Sequence, residues 1–129
     1  MRLLITALLF VLLQTNLIAQ VGITSPDKKI TVQVSVNKEG AIKYSVLYQE
    51  AEVLRSSSLG IQTATVDFSN GNNLLGATPV QQVNDSYNIL HGKKKQATYK
   101  ANKRTVQFKN KNGKALDIIF QVSNDAVAF

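Results

Sequence analysis

The chain has 129 residues, no cysteine, no tryptophan and a formal charge of +7. This length points to one domain, and the missing cysteines exclude disulfides, thiolate nucleophiles and cysteine-ligated metals. Few aromatics lie near the lysines and no recognition helix is legible, which argues against a nucleic-acid partner and leaves packing as the source of stability.

The chain opens on Met1 and Arg2, then an apolar stretch over residues 3–13 broken only by Thr6, then Gln14, Thr15, Asn16 and the small Ala19. A charged, apolar, polar order of this kind predicts a secretory signal over residues 1–19, cut after Ala19, with export to the periplasm or medium. A transmembrane anchor needs about 20 apolar residues, roughly twice this run. A lipid anchor needs a cysteine after the cut, so no stable membrane anchor is expected on residues 20–129. The cut removes Arg2 and none of the 8 acidic residues, lowering the charge from +7 to +6. The excess gathers in the last third, at Lys93, Lys94, Lys95, Lys100, Lys103, Arg104, Lys109, Lys111 and Lys114. It reads as a solvated face rather than a seat for an anion.

Residues 29–36 alternate, with Ile30, Val32, Val34 and Val36 on one face. Period two with β-branched residues predicts a half-buried strand. Asn37, Lys38, Glu39 and Gly40 supply a turn, and residues 41–48 return with Ile42, Tyr44, Val46 and Tyr48 facing inward. After a bend at Gln49 and Glu50, residues 51–54 form a short third strand that Arg55 and three serines end. Leu59, Gly60 and Ile61 restart an extended segment. The Asn- and Gly-rich residues 67–78 read as a loop or irregular edge. Three strands follow, over residues 86–90, 96–99 and 105–109. Asn112 and Gly113 predict a tight type I′ bend, and residues 115–123 form the last strand, with Leu116, Ile118, Phe120 and Val122 on one side. The expected fold is all-β, an antiparallel sandwich. The final Asp125, Ala126, Val127, Ala128 and Phe129 are apolar where domain ends are usually polar, as if a strand had been cut.

At Ser25, Pro26, Asp27 and Lys28, at Ser58, Leu59 and Gly60, along residues 87–94, and above all over residues 120–129, the chain resembles the amino-terminal domain of glycoside hydrolase family 97. Two residues depart from that pattern: Gln121 stands where the family usually has arginine, and Ala126 where it usually has glycine. If that glycine takes positive φ, Ala126 is strained or the turn is rebuilt. The resemblance implies part of a β-super-sandwich of the galactose-mutarotase type, from an exported α-glucosidase or α-galactosidase. In such an enzyme a (β/α)8 barrel carries the catalytic carboxylates and calcium. The barrel of the same parent enzyme is then the expected partner, with α-linked carbohydrate as a further one. No catalytic, cofactor-binding or metal residue is carried over, and no cofactor is expected in this chain itself.

The residues themselves agree. Glycoside hydrolysis needs two carboxylates about 5–9.5 Å apart. Glu50 and Glu52 are the acidic pair closest in sequence, on one face if both lie in a strand, but no aromatic platform accompanies them. His91 is the sole histidine and is read as a loop residue, and the neighbouring Lys93, Lys94 and Lys95 as a soluble bend. Asp27 and Asp125 suit turns rather than a calcium loop. Tyr44 and Tyr48 are assigned to the core, while Tyr87 and Tyr99 are open to stacking on a sugar. Three functions follow: a structural module beside the barrel, a stand-alone carbohydrate-binding sandwich and, weakest, a free-standing hydrolase.

Overall fold

A computed structural model of the chain describes residues 20–90 and 96–129. The expected signal segment, His91, Lys93, Lys94 and Lys95 lie outside the described residues. Every regular element among those described is a strand, as the alternation predicts.

The first sheet is a meander in the order β1 (Gln20–Thr24), β2 (Ile30–Val36), β3 (Ile42–Tyr48) and β4 (Ala51–Leu59), each antiparallel to the next. The second holds β5 (Asn72–Ala77), β6 (Gln81–Asn88), β7 (Gln96–Asn110), β8 (Ala115–Ser123) and the short β9 (Val127–Ala128). β7 is its spine. β8 runs along one edge of it, while β5 (against residues 106–110) and β6 (against residues 96–103) lie end to end along the other.

Alternation decides the core. Ile23, Ile30, Val32, Val34 and Ile42 of the first sheet pack on Val106, Phe108, Phe120 and Val122 of the second. Each such side chain taken fully out of water contributes about 1.5–3 kcal/mol. Tyr44 is half-buried and meets Phe129 edge-on at 5.1 Å. Tyr48 departs from the expected core position. At the end of β3 it has no second layer over it and stays 44% exposed.

Four further departures share one cause: pairing to a neighbour holds strands whose own pattern is weak. β4 continues through the three serines to Leu59, with register shifts opposite Tyr44 and Val46, because β3 offers a ladder along its whole length. β5 forms in the segment read as a loop, with a bulge that leaves Leu75 outside the register. β6 begins at Gln81 rather than at residue 86. The two strands expected over residues 96–99 and 105–109 are one, β7. Its polar middle still faces inward: Asn102 Nδ2 donates to Thr24 O at 2.8 Å, and Arg104 Nη1 to Gly22 O at 2.8 Å. Side chains of one sheet thus satisfy carbonyls of β1, the edge strand of the other.

The turns redistribute as well. Asn110 and Asn37 head the same device: each side-chain Oδ1 accepts from the backbone N–H groups two and four residues on. Only Gly40 and Gly113 of these turns have positive φ, so the expected type I′ bend at Asn112 and Gly113 is absent. It occurs instead at Gln49 (φ 49°) and Glu50 (φ 69°), between the paired Tyr48 and Ala51. Ala126 does not have positive φ, and its N–H donates to Ser123 Oγ at 3.0 Å, so the turn takes alanine without strain.

Candidate functional site

Acid pairs come first, since hydrolysis would need one. Glu50 sits in the turn and Glu52 in β4, both exposed, so the shared strand face expected of them does not exist. Asp27 and Asp125 are structural. The buried Ser25 hydroxyl donates to Asp27 Oδ1 and accepts from Ile30 N–H, and Ser123 does the same for Asp125 and Ala126 N–H. Asn124 Oδ1 then accepts from Asp27 N–H at 3.0 Å, joining the two Ser-x-Asp turns across the sheets. Hydrogen bonds from Ser25 and from the Lys29 backbone hold the Asp27 carboxyl below its usual 3.8. Among the described residues no three His, Asp or Glu side chains gather as metal ligands.

Two surfaces remain. One is apolar: Leu59, Gly60, Ile61, Leu116 and Ile118 line a shallow hollow of about 170 Å³ where the two layers part. Beside it, β9 covers only Gln121 and Val122 of β8's outer edge; residues 115–120 have no strand there among those described. Ile61 is 52% exposed although it belongs with apolar neighbours.

The other surface is the arm that β6 and the first half of β7 form beyond the sandwich. The register sets Asp85 opposite Tyr99 and Tyr87 opposite Ala97. Tyr87 and Tyr99 are therefore diagonal neighbours on one face, within reach of each other's rings. Gln121 Nε2 donates to Tyr99 Oη at 3.0 Å, which fixes that ring; Tyr87 is 54% exposed. Next to Tyr99 a notch of about 360 Å³ is lined by Thr98, Tyr99, Lys100, Ser123, Asn124 and Asp125. The opposite face of the arm is polar throughout, from Gln82, Asn84 and Ser86 to Thr98, Lys100 and Asn102. Neither Tyr87 with Tyr99 as a pair nor the notch was visible in the sequence, because both depend on cross-strand register.

Residues 23–129 match the family model described as glycosyl-hydrolase 97 N-terminal. Among solved structures, a beta-arabinopyranosidase is 33% identical at a TM-score of 0.76, over 83% of this chain and 17% of that one. A glycoside hydrolase family 97 enzyme from Pseudoalteromonas sp. strain K8 in complex with acarbose is 21% identical at a TM-score of 0.73, over 83% of this chain and 16% of that one. A variant of the latter enzyme, E480Q, in complex with panose superposes equally well, at a TM-score of 0.73. The chain thus spans about 17% of the first of these and 16% of the other two. No curated protein matches it.

Proposed function

Because the chain belongs to the glycosyl-hydrolase 97 N-terminal family, we propose that it works as the non-catalytic leading part of an exported α-glucosidase or α-galactosidase, packing beside a (β/α)8 barrel supplied by the same parent enzyme. The observation that carries this role is the open side of the sandwich: the hollow lined by Leu59, Ile61, Leu116 and Ile118, next to the edge of β8 at residues 115–120, which no strand covers among the described residues. An apolar hollow beside free backbone donors and acceptors is the surface that further strands of a larger β-domain cover. Acid–base chemistry would then come from the barrel, in keeping with the scattered carboxylates here. Export rests on the charged, apolar, polar order of residues 1–19.

The test is to extend the reading frame beyond the codon for Phe129 and assay its product. A barrel-containing protein that cleaves nitrophenyl α-glycosides is expected, and Ile118→Asp within it should sharply reduce soluble, active enzyme. A frame that encodes no barrel, or an Ile118→Asp enzyme indistinguishable from its parent, would overturn the proposal. Amino-terminal sequencing of the exported product should begin at Gln20.

A further inference from the structure

We infer that the face of the β6–β7 arm carrying Tyr87 and Tyr99, together with the notch beside Tyr99, is a binding site for a neutral α-linked pyranoside. The inference rests on the proposed sugar-processing parent for its choice of ligand, but its geometry stands on residues described above. Three features converge. Tyr87 offers an exposed ring, and the register puts Tyr99 diagonally across from it on the same face of the arm. A pyranose presents a flat C–H face that such rings cover, while its rim of hydroxyls asks for polar partners.

Those partners are in place. Asn124 and Asp125 line the notch beside Tyr99, and Asp85 flanks the rings from β6. The carboxylates of Asp85 and Asp125 can accept hydrogen bonds from a rim of hydroxyls, which suits a neutral polyhydroxy ligand better than an anion. The Gln121 amide spends a hydrogen bond on fixing the Tyr99 hydroxyl, which orders that ring before any ligand arrives. β8 stops pairing at Ala101, so among the described residues none pairs with residues 96–100 of β7 on that side.

The chain has four tyrosines and no tryptophan, so its intrinsic fluorescence reports on tyrosine alone. Titrating the full chain with panose should give a saturable change at millimolar sugar. Tyr87→Ala, at an exposed position, should weaken binding about tenfold, and Tyr99→Phe should weaken it less because the ring remains. Tyr48→Ala, an exposed tyrosine on the other sheet, should bind as the parent chain does. A flat panose titration, or Tyr87→Ala binding like the parent, would overturn the site while leaving the proposed partnership with a barrel untouched, since that is judged on the extended protein.

Discussion

The sandwich body and the projecting arm are built on the same strand, and they hold it by different means. Over residues 106–110, β7 is fixed by Val106 and Phe108, both 0% exposed, pressed against a second sheet. Over residues 96–100 no side chain of the strand is fully buried; β6 pairs with it, and most side chains on either face are polar or exposed. Burial thus makes half of β7 stable, and pairing alone makes the other half available. Surfaces that bind are drawn from the less stable, more accessible regions of a fold.

The sharpest way to break that contrast is to truncate one side chain in each region. Phe108→Ala should cost about 3–5 kcal/mol, enough to unfold much of the population of so small a domain. Val83→Ala in the arm, where Val83 is only half-buried opposite Ala101, should cost under about 1 kcal/mol. Urea titrations of the two variants measure both. Equal losses would mean that the arm belongs to the same packed unit as the body.

Gly40→Ala follows in size. The body is closed at one end where Gly40 meets Gly71: a Cβ built on Gly40 would lie 2.5 Å from Gly71 N, and Gly40 has φ +76°. Asn72, 2% exposed, bridges the same junction, its Nδ2 donating to Gly40 O and Phe68 O while Oδ1 is left without a partner among the described residues. Alanine would add steric overlap to left-handed strain, a loss of roughly 2–3 kcal/mol seen as a lower urea midpoint.

How far the sequence foretold these regions follows from the same contrast. In the body, each inward residue of β2, β3 and β8 is apolar or aromatic, so alternation alone announced the strands, the first hairpin and the inner faces. β5 hid because Asn72 is its buried first residue and a bulge between Leu74 and Gly76 breaks its alternation, and the middle of β7 hid because its inward Asn102 and Arg104 are polar and donate to carbonyls of β1. The type I′ turn hid because Gln49 and Glu50 are not residues that favour positive φ. In the arm, Tyr87 and Tyr99 were recognisable as candidates one by one. Their proximity is a property of register, which local pattern does not reveal when both faces are polar.

Arg104 marks the joint between the two regions. Its Nε donates to Thr78 O at 2.8 Å, where the chain passes from β5 to β6, while Nη1 holds Gly22 O on β1. Arg104→Met keeps the stem and removes both bonds, leaving two carbonyls without their donor. The expected loss is about 1–3 kcal/mol, with faster amide exchange in β1 and β6 than in β3. Uniform exchange would show that the arm is not separately tethered.

A smaller effect, of opposite sign, should come from the turn between β3 and β4. Glu50 has φ 69° without a glycine's freedom, so Glu50→Gly should relieve about 1 kcal/mol of left-handed strain and raise the melting temperature. No change would mean that the greater freedom of glycine in the unfolded chain offsets the relief.

The smallest effect is a dependence on acid confined to the ends of the body. Asp27 is held below 3.8 chiefly by the Ser25 hydroxyl, and Asp67 below 3.8 chiefly by hydrogen bonds from Ser69, with Lys111 nearby. For both, the unfolded chain takes up protons at a higher pH than the folded one. Their stabilisation is therefore fully present above the ordinary carboxylate value and is lost as pH falls through the depressed folded values. Melting temperatures taken between about pH 2.5 and 6 should be level at the upper end and fall below about pH 4. The double variant Asp27→Asn, Asp67→Asn should show a shallower acid limb than the parent chain. An equally steep limb would place the acid-sensitive contacts elsewhere in the molecule and separate its ends from the origin of that loss.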